Sequence, residues 1–301
     1  MQTRKYQQAA IDFSVGALSE GKRAVIQLPT GTGKTLVLLR VAEHELRAGR
    51  PVYVIVPTDE AVQQVRHTAL RLGLFPVLDT QGRKAPAQAP LVITTYSCAW
   101  HRYRRRLRTN TLCLLDECHH INFNAPVNFN ILNSFQVAIG LSATPWSKGC
   151  LKYFDSNRYR YKLSQAITDG VNSQFEIKPW IEPSKGSYQI IYTNDADYRE
   201  RLCGSLAGTD YAIHQRVNAR KVIARFRHGI LGTIIVNRML TEGFDLPQIK
   251  RVWIARRTGS RIAAMQMAGR ALRPYQGRIA SIYALTSETR QLLEQAIAKA
   301  G

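Results

Sequence analysis

The stretch Leu28-Pro29-Thr30-Gly31-Thr32-Gly33-Lys34-Thr35 sits between two segments of opposite character. Before it, Ala24 to Leu28 is a short apolar run that reads as a buried strand. After it, Leu36 to Leu46 carries apolar residues at helical spacing and closes at Gly49. Strand, glycine-rich turn and helix in that order form a cradle for phosphate. Backbone N–H groups wrap the oxygens, and the helix N-terminus adds partial positive charge. Pro29, Thr30, Gly31, Thr32 and Gly33 are the residues expected to line it. Lys34 is placed to reach β- and γ-phosphates, and the Thr35 hydroxyl to ligate Mg²⁺. The general phosphate-loop pattern begins with glycine where this chain has Leu28, while its Gly-Lys-Thr end is intact.

The alternation continues outward. A helix is expected over 4–20, where Tyr6, Ala9, Ala10, Phe13, Ala17 and Leu18 recur at helical spacing, stopped by Gly21. Strands are expected at Val52–Val56, Leu91–Thr95, Leu112–Leu115 and Ala138–Ser142, with a helix at Asp59–Leu72. Residues 146–175 are polar and rich in Lys, Tyr, Ser and Asn, which reads as a connector. Strands then return at Ser187–Tyr192, Tyr211–His214, Thr233–Val236, Val252–Ala255 and Ile279–Leu285. The helices among them are Ala196–Leu206, Asn218–Arg227, Ile262–Leu272 and Glu288–Ala300. Short, nearly all-apolar strands separated by helices indicate mostly parallel sheets covered on both faces, an α/β fold. Two domains are expected, 1–170 and 171–301.

Three further groups carry chemistry. Leu112-Cys113-Leu114-Leu115 runs into Asp116-Glu117-Cys118-His119-His120, which puts carboxylates at the carboxyl edge of a parallel sheet, where ligands bind. Asp116 suits Mg²⁺, and Glu117 suits orienting and deprotonating an attacking water. A zinc reading of Cys113, Cys118, His119 and His120 is disfavoured, because Cys113 lies inside the strand and the four cannot easily converge from one short segment. Gly140-Leu141-Ser142-Ala143-Thr144-Pro145 sets small hydroxyl residues at another strand end, placed to relay the state of the γ-phosphate. Gln266-Met267-Ala268-Gly269-Arg270-Ala271-Leu272-Arg273 spaces Arg270 and Arg273 three apart, on one helical face, as candidate arginine fingers beside Gln266.

Lys plus Arg is 42 and Asp plus Glu is 21, a net charge of +21. That excess favours polyanionic partners and sequence-independent phosphate contact. The densest run is His101-Arg102-Tyr103-Arg104-Arg105-Arg106-Leu107-Arg108, where Arg and Tyr interleave as phosphate contact and base stacking require. Five irregularly spaced cysteines argue against a disulfide framework and fit a reducing, cytoplasmic-type compartment. No apolar run long enough for a membrane span is present, and Met1 to Ser19 lacks a secretion-signal pattern.

In this order the motifs resemble those of superfamily 2 helicases. They are most similar to the DEAH-like branch of type III restriction motors, UvsW-like phage helicases and the excision-repair helicase. Arg4-Lys5-Tyr6-Gln7 resembles the adenine-reading segment, with Arg4 and Gln7 on the base. Leu28–Thr35 looks like motif I, Val54-Ile55-Val56-Pro57-Thr58 like Ia and Ile93-Thr94-Thr95-Tyr96 like Ib. Asp116–His119 matches motif II and Ser142-Ala143-Thr144 motif III, while Gln189–Tyr192 stands weakly for IV. Thr241–Pro247 resembles motif V, and Gln266–Arg273 motif VI. The resemblance implies two tandem RecA-like domains with an ATP cleft between them, and ATP and Mg²⁺ as cofactors. It adds Gly243 and Asp245 to the nucleotide site, and Thr58, Thr94, Thr95 and Thr241 to Arg102, Arg104, Arg105 and Arg106 as the nucleic-acid track. It implies 3′→5′ movement and DNA in preference to RNA. An RNA helicase of the same fold, a motor subunit of a restriction or repair complex, and a non-hydrolysing clamp are the rival readings. A separate nuclease, recombination or replication protein is compatible as partner. The second domain looks trimmed, and these 301 residues leave no stretch for a further domain. Translocation or partner-dependent unwinding is therefore expected over strong strand separation alone.

Overall fold

The computed structural model describes residues 1–102, 110–121, 135, 137–146, 148–154, 157–186, 188–206, 211–212, 216–237, 246, 248–273, 277 and 279–301. Two compact units emerge: Met1–Pro29 with Gly33–Lys162, and Thr30–Thr32 with Leu163–Gly301. No helix of the described residues is long and apolar enough to cross a membrane.

The first unit alternates as α1 (Lys5–Ser19), β1 (Ala24–Gln27), α2 (Lys34–Arg47), β2 (Val52–Val56), α3 (Asp59–Arg71), β3 (Val77–Asp79), β4 (Leu91–Thr95), α4 (Tyr96–Arg102), β5 (Leu112–Asp116), β6 (Val137–Ser142), α5 (Lys148–Tyr153) and β7 (Arg158–Arg160). The strands pair in the order β3-β4-β2-β5-β6-β1-β7, all in parallel. Every residue of β1, β2, β4, β5 and β6 is buried. Burial on both faces is why these strands read as continuous apolar runs without alternation. The stretch read as a connector holds α5 and β7, and β7 pairs with β1 from Val25↔Arg158. It escapes an apolar-run criterion because it is an edge strand, where arginines are tolerated and serve to blunt the edge. Tyr159 donates its hydroxyl to Tyr6 O at 3.1 Å, and the Tyr161 ring stacks on Tyr6 at 4.2 Å, tying β7 to α1.

Gly140, in β6, has no room for a side chain. A Cβ there would overlap the buried Phe154 ring and stand 3.0 Å from Cys118 Sγ. Gly140→Ala is expected to destabilise the protein by about 1–3 kcal/mol, the usual cost of overpacking a dense core. Urea unfolding checks this, and a midpoint equal to wild type would refute it.

The second unit runs α6 (Leu163–Thr168), β8 (Phe175–Lys178), β9 (Gln189–Tyr192), α7 (Ala196–Ser205), β10 (Tyr211–Ala212), α8 (Arg216–Arg227), β11 (Thr233–Val236), β12 (Arg251–Ile254), α9 (Arg261–Ala268), β13 (Ala280–Ala284) and α10 (Ser287–Ala300). Its sheet, β10-β11-β9-β12-β13-β8, is also parallel throughout. Ile190, Phe226, Ile234, Val252, Ile282 and Leu293 form the centre of its core. Asp195, Ser260 and Thr286 cap α7, α9 and α10 by accepting from the N–H three residues on. The helix expected over Ile262–Leu272 ends at Ala268. From there the chain tightens into turns: Ala271 N donates to Ala268 O at 3.0 Å and Leu272 N to Gly269 O at 3.3 Å. Arg270 and Arg273 therefore lie beyond α9, and an argument from a shared α-helical face does not apply to them.

Candidate functional site

The loop before α2 is shaped by two left-handed glycines, Gly31 at φ 85° and Gly33 at φ 79°. Gly33 is the N-cap of α2, with no side-chain cap and no acidic residue in the first turn. The N-terminal partial charge of a 14-residue helix is thus uncompensated by any side chain of its own first turn, which suits an anion. Lys34 and Thr35 open that helix. A Cβ on Gly33 would meet Gln7 Nε2 at 2.6 Å, so only glycine lets Gln7 lie against the loop. Gln7 is buried, and its Oε1 accepts from Arg4 N at 2.9 Å, closing a capping box at the start of α1. Gln7 and the loop come together. Arg4 holds the N-cap and is exposed.

Asp116 ends β5, and Glu117 follows in a left-handed conformation at φ 47°. That backbone is uncommon outside glycine. Lys34 Nζ lies 3.1 Å from Glu117 Oε1, with side chains only 10% and 19% exposed. His119 Nδ1 lies 3.3 Å from the other oxygen, Oε2. The same nitrogen shares a 2.8 Å hydrogen bond with Ser142 Oγ, which accepts from Thr144 N at 2.9 Å. A chain of contacts thus runs from the phosphate loop through the acidic turn to the end of β6. Burial alone would raise the Glu117 carboxyl. The Lys34 ammonium, and after it His119, outweigh burial and hold the group well below the usual carboxylate range. Glu117 is thus held ionised and partnered. Asp116 Oδ1 accepts from Glu117 N at 3.0 Å.

Two members of this chain of contacts, His119 and Ser142, were visible in sequence only as parts of motifs. Their contact joins residues 23 apart, and no local pattern announces it. Asn172 and Ser173 were not singled out at all. Asn172 Nδ2 donates to Leu272 O at 3.1 Å, Ser173 N to the same oxygen at 2.8 Å, and Ser173 Oγ to Arg273 O at 3.0 Å. They fasten the turn that carries the two arginines. Arg270 lies near enough to Tyr192 for its charge to oppose burial, which pushes the Tyr192 hydroxyl up to about 12. Gln266 is half-buried on α9.

The expected nucleic-acid track divides. Thr58 caps α3, its hydroxyl accepting from Ala61 N at 3.2 Å. Thr94 is fully buried in β4, and its hydroxyl donates weakly to Thr95 O at 3.5 Å. Thr95 Oγ1 accepts from Cys98 N at 3.3 Å and pairs with Ser97 Oγ at 3.0 Å. Both hydroxyls find partners at the strand end, where the chain turns into α4, as buried hydroxyls do. Arg102 is the last residue of α4. Arg104, Arg105, Arg106, Thr241, Gly243 and Asp245 lie outside the described residues.

Residues 1–147 match the family model described as type III restriction enzyme, res subunit. A relative from Halobacterium salinarum, "Putative DNA 3'-5' helicase Rad25", is 24% identical over 322 residues, covering 90% of this chain and 52% of its own. The chain thus spans about half the length of the curated relatives it matches. Among solved structures, the type ISP restriction-modification enzyme LlaBIII bound to DNA aligns over all of this chain and 30% of its own, at TM-score 0.74 and 12% identity. Dbp5 of S. cerevisiae, bound to RNA and ADP BeF3, aligns over all of this chain and 88% of its own, at TM-score 0.71 and 16% identity. At such identities these likenesses speak for the fold, two RecA-like parallel sheets flanked by helices. The matches thus liken this chain to type III restriction-enzyme res subunits over residues 1–147 and to helicases over about nine-tenths of its length.

Proposed function

We propose that the chain is an ATP-hydrolysing motor that moves along or remodels DNA, a helicase or translocase. The contact of Lys34 with Glu117 carries the reading. It joins the phosphate-loop cation to the base at a sheet's carboxyl edge, where a nucleotide's phosphates are expected. The uncapped start of α2 and the two left-handed glycines fit ATP phosphates, and the Thr35 hydroxyl with the Asp116 carboxylate fits Mg²⁺. When bound, Mg²⁺ neutralises charge on the β- and γ-oxygens. Lys34 exchanges Glu117 for a phosphate oxygen. Glu117 then orients water and accepts its proton. His119 and Ser142 hold that carboxylate in place. Gln7 reads the adenine edge beside Arg4, with Gly243 and Asp245 at the nucleotide. Arg270, Arg273 and Gln266 supply charge and hydrogen bonds to the phosphates in the transition state.

The net charge of +21 and the Arg-rich run 102–108 support nucleic acid as the track. The Asp-Glu-Cys-His form and the name of the Halobacterium salinarum relative support DNA and 3′→5′ movement. ATP hydrolysis measured with single-stranded DNA, single-stranded RNA or neither tests the motor and its track. Duplexes with 3′ or 5′ tails test polarity. Hydrolysis that no nucleic acid stimulates would overturn the reading, and stimulation by RNA alone would replace the track.

Replacing Arg104, Arg105 and Arg106 together with alanine is expected to weaken DNA binding alike for all sequences. The slope of log affinity against log salt should fall by about 2–3, close to one for each phosphate no longer neutralised. Fluorescence anisotropy across a salt series measures it. An unchanged slope would place the track elsewhere.

A further inference from the structure

Asp116 and Glu117 are joined by one peptide, and both its ends are held. Its N–H, on Glu117, donates to Asp116 Oδ1 at 3.0 Å. Its carbonyl, on Asp116, accepts the Tyr96 hydroxyl at 2.7 Å. Tyr96 comes from the end of β4, and β2 lies between β4 and β5 in the sheet. The Tyr96 ring therefore reaches across the end of β2 to serve a neighbour's neighbour. The paired register of β2 and β5 stops at Ile55↔Leu115, one residue short of Asp116. Tyr96 supplies a donor on the side where the ladder with β2 has ended.

The next torsions explain why that bond matters. Glu117 sits at φ 47°, among only three non-glycine residues with positive φ among the described residues. Such a backbone persists where its surroundings over-determine it. Relaxing φ at Glu117 would move its carboxylate relative to Lys34 and His119. Burial raises the Tyr96 hydroxyl well above its ordinary value, with nearby Cys118 and Asp116 adding to the shift, so it stays a protonated donor. Tyr96 is 8% exposed and its ring packs against Trp100 at 5.8 Å. It is also the first residue of α4, which ends at Arg102 where the basic run begins.

We propose that Tyr96 is a positioning residue. Its hydroxyl clamps the Asp116–Glu117 peptide and so sets the catalytic carboxylate from the segment that leads into the arginine run. The inference rests on the functional reading above.

Tyr96→Phe keeps the ring and removes the clamp. Turnover of ATP with DNA at saturation is expected to fall about tenfold, equivalent to about 1.4 kcal/mol of transition-state stabilisation. KM for ATP and affinity for DNA should stay within about threefold, because neither the phosphate loop nor the track is altered. Unchanged turnover in Tyr96→Phe, with an active wild type, would overturn this inference and leave the motor standing. So would losses in KM, DNA affinity and melting temperature that match the loss in turnover, or failure of the variant to fold, since each makes the bond a structural one. A wild type without DNA-stimulated hydrolysis would overturn the motor, and the role of Tyr96 with it.

Discussion

Glu117→Gln is expected to lower ATP turnover by about 10²–10⁴-fold, the usual contribution of a positioned general base, while ATP still binds. The amide matches the carboxylate in shape and hydrogen-bonds to water, yet it cannot accept a proton. Single-turnover hydrolysis paired with nucleotide-binding titration separates the two effects. Equal turnover in the variant and wild type would remove Glu117 from the mechanism. The wild-type pH profile carries a second signature. In the free protein Lys34 is the chief opponent of burial at Glu117 and keeps its carboxyl ionised far into acid. On the proposed function ATP would draw Lys34 to phosphate, and the Glu117 pKa should rise in the complex. The acid limb of kcat/KM reports the free protein and that of kcat the complex. The kcat limb should therefore lie at higher pH, and limbs that coincide would show that Lys34 does not change partners.

Lys34→Met should act on both rate and stability. Hydrolysis is expected to fall by at least about 10²-fold, because the cation that meets the β- and γ-phosphates is gone. In the absence of ATP, Glu117 is left largely buried with only His119, and an unsatisfied buried group costs about 1–3 kcal/mol, more when charged. The double variant Lys34→Met with Glu117→Gln should recover most of that stability and none of the activity, which urea unfolding of all four proteins checks. Additive losses would deny the contact. The pair's stabilisation has a pH sign. The folded pKa of Glu117 is depressed, so the contribution is present above the unfolded value of about 4.3 and is lost as pH falls below it towards the folded value.

Much of this architecture was legible before any coordinates. The all-apolar strands Val52–Val56, Leu91–Thr95 and Thr233–Val236 appear with those bounds, because burial on both faces leaves an unbroken run. The phosphate loop announced itself through Gly31, Gly33 and Lys34, since a left-handed turn ahead of a helix demands glycine there. Edge strands were harder. Val77–Asp79 and Arg158–Arg160 are short and partly exposed, with no apolar run to mark them. The end of α9 was misplaced because helical periodicity persists through Leu272 while the hydrogen bonds shorten to i→i+3.

The sequence by itself determined the α/β class and the strand–loop–helix order around Lys34, and it singled out Lys34, Asp116 and Glu117 as candidates. Each of these is written in residues adjacent along the chain, where spacing and side-chain chemistry act locally. Tertiary structure alone decided that Glu117 meets Lys34 and His119, that His119 meets Ser142, and that Tyr96 crosses β2 to hold the Asp116 carbonyl. It also buried the Thr94 side chain completely. Apart from the short reach between Glu117 and His119, those contacts join residues 20 or more apart. Strand order in a parallel sheet, which no local pattern encodes, is what brings them together.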